Sequence, residues 1–247
     1  MMATLEWVTL TVCCVALLLR VPDAVKGRNR TVFGILLLAT LCSLLAVSEV
    51  YAAIDGSLGG RHVTSLILRY LVFATVLLVG LRITRGLDAA SGYRLIAGAT
   101  GRWALAFCCL AVLATFLLMD TTGASAGLQV RSDGGGGNAA LAPYYTAAGR
   151  TYPAFVSLIL VPPLLAAVRS RQPHLVRAGA LLVLFGALFA ILSLPVSLVP
   201  AAWAGGLHFV NYAAVLGYVM GLAVLWFSGL ISNPSGNAKA TLRRKAY

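Results

Sequence analysis

Seven apolar stretches divide this chain, each close to the roughly 20 residues that a helix needs to cross a bilayer. They run from about 4 to 19, 31 to 54, 62 to 81, 98 to 119, 152 to 168, 175 to 199 and 207 to 231. The basic residues do not spread evenly between them. Arg20, Lys26, Arg28 and Arg30 fill the first gap, and Arg82, Arg85, Arg94 and Arg102 lie in and beside the third. Arg169, Arg171 and Arg177 mark the fifth gap, and Lys239, Arg243, Arg244 and Lys245 the tail. Lys and Arg in short loops are held on the cytoplasmic side of a membrane. The pattern therefore predicts an all-α, multi-pass protein of the cell membrane with seven transmembrane helices, its N-terminus outside and its C-terminus cytoplasmic.

Composition supports that class. Hydrophobic residues make up 60% of the chain and charged residues 11%, against about 25% charged in a soluble domain. A net charge of +12 would point a soluble chain toward nucleic acid. Here the charge sits in short loops beside apolar segments, so the expected partner is the anionic headgroup layer at the cytoplasmic face, not nucleic acid. Glu6 is the only charge at the start of the first stretch and the basic cluster follows that stretch, the reverse of a secretory signal. This segment reads as a retained anchor.

Residues 1–232 form the expected transmembrane domain and 233–247 a basic cytoplasmic tail. The one long connection, 120–150, is external and Gly-rich, with Gly134 to Gly137 in succession, which reads as flexible sequence. Pro143, Tyr144, Tyr145 and Tyr152 read as an interfacial aromatic anchor before the fifth helix. Pro162-Pro163 removes two backbone donors in that helix and is expected to kink or break it, making a hinge.

Two charges lie deep inside the apolar segments, away from their ends. Glu49 lies roughly 9 Å below the external end of helix two, and Arg69 roughly 12 Å below that of helix three, at 1.5 Å per residue. Opposite charges at matching depth on neighbouring helices suggest a pair, since an isolated charge at mid-bilayer costs about 2.5–3.5 kcal/mol. The pair either clips two helices together or lines a cavity open to the outside. Tyr70, His208, Asn211 and Tyr212 stand at similar depth and, with Glu49 and Arg69, make up the candidate ligand-binding set. Taken singly, each also suits a helix–helix hydrogen bond. Ala213, Gly217 and Gly221 form a small-residue stripe on helix seven, suited to packing within the chain or to a homodimer or other membrane protein partner.

Cys13, Cys14, Cys42, Cys108 and Cys109 all lie within apolar runs and read as small core residues. No Cys/His spacing suits a metal. His62, His174 and His208 do not fall at the depth of bis-His haem ligands, and no lysine stands on helix seven for a retinal Schiff base. No cofactor is expected. No nucleophile–base pair is visible either, so an enzyme is not expected.

The run Val50-Tyr51-Ala52-Ala53-Ile54-Asp55 with Leu58-Gly59, followed by the leucine-rich segment from Leu66 to Leu81, resembles a family of actinobacterial multi-pass membrane proteins labelled as transporters or integral membrane regulators. The resemblance covers the first third of the chain and carries no functional residue across. Residues and resemblance together point to a ligand-binding or sensing module, or a subunit of a membrane complex. The alternative is a small-molecule or ion transporter.

Overall fold

The computed structural model describes residues 2–25, 30–57, 63–118, 137–198 and 204–232. All regular structure among them is helical: α1 (Met2–Leu18), α2 (Val21–Val25), α3 (Arg30–Leu45), α4 (Ser48–Ser57), α5 (Val63–Gly86), α6 (Ala90–Ala97), α7 (Ala99–Leu118), α8 (Gly137–Arg169), α9 (His174–Val196) and α10 (Ala204–Ser232). An α-helix satisfies its own backbone donors and acceptors, as lipid requires. Four stretches are long and apolar enough to cross a bilayer: Val63–Gly86, Ala99–Leu118, Pro143–Arg169 and His174–Val196. The bent pair α3 and α4 would make a fifth, and shorter apolar stretches lie at Glu6–Leu18 and Phe209–Leu225. On α7, Trp103, Phe107, Leu110 and Leu117 form an outward stripe, each 63% exposed or more. A continuous apolar face of that kind suits lipid and would be an aggregation liability in water. The protein is an all-α membrane protein.

The helices close into a ring in which α1, α3, α5, α8, α9 and α10 each touch the next and α10 returns to α1. α7 packs on α8 and α5 from outside, and α6 lies against α5, α7 and α8. One end of this bundle holds Arg82 and Arg85 at the close of α5, Arg169 at the close of α8 and Arg177 in the first turns of α9. This is the basic end. Arg177 has a structural task there. Its Nε donates to the Val168 carbonyl at 2.9 Å, serving one of the carbonyls that a helix C-terminus leaves without a partner.

Four sequence expectations need correction. The second apolar stretch is not one helix, because Thr31–Leu45 and Ser48–Ser57 meet at 86°. Glu49 is an acid in the first turn, which suits a helix N-terminus, and the Val47 carbonyl accepts the first bond of the new axis from the Tyr51 amide at 2.9 Å. The fifth helix starts well before residue 152. Tyr145, Gly149, Tyr152, Val156, Leu160, Leu164 and Ala167 form one buried, helically spaced face of α8. Tyr145 and Tyr152 are thus core residues, and only Tyr144 of the three tyrosines is exposed. The Gly134–Gly136 part of the expected flexible loop lies outside the described residues. Of the kink or break expected at Pro162-Pro163, the break is not formed, since α8 stays helical across both. The prolines leave the Leu158 and Ile159 carbonyls without helical donors, and Gly92 of α6 packs closely on Ile159. Finally, the stretch after Asp88 is no loop. Asp88 takes a left-handed φ of 51°, which Asp tolerates, and turns the chain into α6.

The small-residue stripe of α10 is used inside the chain. A methyl group on Gly217 would come within 2.7 Å of the Gly186 backbone, and one on Gly221 within 2.7 Å of the Val183 amide nitrogen. Gly217 and Gly221 therefore face α9, and the homodimer surface expected at them is covered by their own chain. The alanine variants Gly186→Ala and Gly217→Ala are each expected to destabilise the bundle by about 1–3 kcal/mol through overpacking against backbone that cannot yield. Gly34→Ala, where an added carbon meets nothing within 4 Å, is the control. Thermal unfolding in detergent checks this, and equal melting temperatures for all three variants would refute the close-packing account.

Candidate functional site

Arg69 is fully buried on the inward face of α5. Its guanidinium carbon stands 3.9 Å from the centroid of the Tyr145 ring on α8. The same guanidinium presses on Gly149, one turn further along α8, where any side chain would collide with Nη1. A desolvated cation over an aromatic face gains about 2 kcal/mol, comparable with the insertion penalty of the charge. The Tyr145 hydroxyl donates to Ser65 Oγ at 3.3 Å, so the ring is itself held in place. Arg150, also on α8 and 3% exposed, lies near enough to feel the charge of Arg69, and its Nη1 donates to the Thr146 carbonyl at 2.9 Å. Tyr51 of α4 lies among Asp55, Ser65, Arg69 and Tyr145. This is a packed cluster of buried polar groups; neither Arg69 nor Arg150 lines either cavity described below.

Glu49 is not part of it. Tyr51 and Asp55, four residues apart, form the buried face of α4. Glu49 precedes Tyr51 by two residues, about 200° around the helix, and is exposed. The Glu49–Arg69 pairing is therefore corrected: the bend before Ser48 turns Tyr51 and Asp55 inward and Glu49 outward. Tyr70, next to Arg69, turns toward α7, where its hydroxyl donates to the Cys109 carbonyl at 3.2 Å.

Asn211 and Tyr212 lie elsewhere. They line a cavity of about 190 Å³ among α1, α3, α5 and α10, whose walls are mostly aliphatic. Glu6, Thr9 and Ser48 join them at its polar end. His208 lies in α10, but its side chain falls outside the described residues. The candidate set thus divides. Arg69 and Tyr70 pack into helix contacts, Asn211 and Tyr212 face a cavity, and Glu49 faces outward.

The larger cavity, about 700 Å³, lies at the basic end and had no counterpart in the sequence reading. Arg20 at the end of α1, Arg82 of α5, Ser170 and Gln172 between α8 and α9, and Ser228 of α10 line it. Among the described residues, Asp88 is the one carboxylate in the lining. Pro163 contributes to its wall. Arg20, Arg82 and Gln172 carried a signal in the sequence, since all three lie in or beside basic gaps. Their convergence required the ring to close. Among the described residues, no three His, Cys, Asp or Glu side chains come together as metal ligands would.

No family model matches this chain, and no curated protein or solved structure is significantly similar to it. What the fold and the site define is a class, an all-α membrane protein with two cavities between its helices, one of them with Arg20 and Arg82 in its wall.

Replacing Tyr145 tests the cluster. Tyr145→Leu is expected to destabilise the protein by about 2 kcal/mol, because it leaves a buried guanidinium without its aromatic face. Tyr145→Phe keeps the ring and is expected to cost about 1 kcal/mol, the value of one hydrogen bond. Chemical unfolding in mixed micelles distinguishes the two, and equal losses would show that the ring does not hold the charge.

Proposed function

We propose that this chain is a seven-helix protein of the cell membrane that binds a small anionic ligand at its cytoplasmic end. In this reading α3 and α4 together form the second span, α1 and α10 are spans, the N-terminus is external and the tail is cytoplasmic. The basic gaps support that orientation through the retention of Lys and Arg on the cytoplasmic side. The observation that carries the function is the cavity of about 700 Å³ with Arg20 and Arg82 in its wall. Its size falls within the 300–1,000 Å³ range of small-molecule sites. Arg82 in the wall gives the cavity a cationic group suited to an anion, and Arg favours planar, bidentate contact with phosphate or carboxylate. The binding module is preferred to a passive subunit of a complex because a purely structural bundle has no need of a charged cavity.

Transport is the second reading, and one feature favours it. The two cavities share Leu222, so a single aliphatic layer separates a space at one end of the bundle from a space reaching toward the other.

Two measurements test the proposal. Glycerol 3-phosphate, titrated into the full chain in detergent, is expected to bind where glycerol does not, and Arg82→Gln is expected to weaken it by roughly tenfold or more, as loss of a charged hydrogen bond does. Equal affinity in wild type and Arg82→Gln would remove the anion site. For orientation, a cysteine introduced at Asn138 should react with an impermeant maleimide on intact cells, and one at Lys239 should not. Labelling of both from outside would refute the seven-span topology.

A further inference from the structure

We infer that the two cavities are halves of one site for a single-chain anionic phospholipid, with its phosphate at Arg82 and Arg20 and its acyl chain running past Leu222. This deepens the anion-site reading and rests on it.

The geometry is a stack. Leu222, 7% exposed, belongs to the wall of both cavities. On each side of it the same three helices continue the wall: Val32 then Ile35 on α3, Ile83 then Val79 on α5, and Leu225 then Val219 on α10. Each step is three to four residues, except that α10 spans both sides of Leu222, so one face of each helix lines both cavities. Along α5 it runs from Arg82 to Leu68, 14 residues or about 21 Å. One leaflet of the hydrocarbon core is roughly 15 Å thick, so the two cavities together span the depth of one leaflet, with Leu222 standing between them.

The chemistry changes along that length as it does along a lipid of the cytoplasmic leaflet. Arginine and polar groups stand at the basic end. The smaller cavity is mostly aliphatic, with Cys42, Ser43, Thr75 and Tyr218 along its wall, and Glu6, Thr9, Ser48, Asn211 and Tyr212 stand at its far end. Basic pockets between transmembrane helices on the cytoplasmic side are a recurring way to hold acidic lipid headgroups. The upper cavity, about 190 Å³, is below the usual size of a complete ligand site, which points to one chain and not two. The phosphate requirement is shared by soluble phosphomonoesters, and the upper cavity is what separates a lipid from them.

The test uses the full chain in nanodiscs and lysophosphatidate with a photoreactive diazirine at the end of its acyl chain. Adducts are expected on residues of the upper wall, Ile35, Val79 and Val219, and are expected to be competed by unlabelled lysophosphatidate but not by lysophosphatidylcholine. Arg82→Gln should remove them. Leu222→Phe, which fills the passage, should remove them while leaving glycerol 3-phosphate binding intact. With ligand below its micellar concentration, wild-type affinity should rise by roughly fourfold for each CH₂ added. Adducts confined to the outward faces of α7 and α9, with Arg82-dependent glycerol 3-phosphate binding preserved, would overturn the lipid assignment and leave the anion site standing. Loss of Arg82 dependence for both probes would overturn both.

Discussion

Lipid provides no hydrogen-bond partner, and the rest of this structure follows from meeting that condition inside the chain. The backbone meets it by forming helices. With no water to drive apolar surfaces together, helices in lipid associate where backbones can approach and where polar side chains find partners. The α9–α10 contact shows the first route: Gly186 faces Gly217, and Gly221 faces Val183, at distances that leave no room for another carbon. The contacts of α5 show the second, with Tyr70 donating to a carbonyl of α7 and Arg69 lying over an aromatic ring of α8. Ser157 and Tyr218, whose hydroxyls lie 2.7 Å apart, tie α8 to α10 in the same way.

The arginines divide by the job their surroundings allow. Arg69 and Arg150 are buried among aromatic rings, hydroxyls and carbonyls, and the packing around Arg69 leaves no room for a side chain on Gly149. Arg177 serves a helix end. Arg82 is different, because it stands at a cavity instead of in packed protein. A charge packed against rings and carbonyls is committed to the fold, whereas one in the wall of a cavity is placed to meet a ligand. The proposed function rests on that contrast.

The prolines of α8 make a related point. Pro162-Pro163 reads as a break when each lost donor is counted alone. In the folded chain the helix persists, α6 lies against it, and Pro163 becomes part of the wall of the larger cavity. An 86° bend occurs before Ser48, where no proline stands, and it places Tyr51 and Asp55 beside the cluster of Arg69 and Tyr145.

The sequence alone determined the helical class and the membrane environment, because long apolar runs have no other stable state in lipid and their length is set by the bilayer. Its basic gaps also marked the residues that now form the arginine-lined end. The start of α8 was legible in principle, since Tyr145 and Tyr152 continue the helical spacing of Val156 and Leu160, but the glycine run before them masked it. Which residues meet was decided only by the tertiary structure. Depth along a helix suggested Glu49 for Arg69, yet depth says nothing of azimuth, and about 200° of rotation separates Glu49 from the buried face of α4. The cavities were invisible for the same reason. Arg20, Arg82, Gln172 and Ser228 lie far apart in the chain, and only closure of the ring brings them around one space.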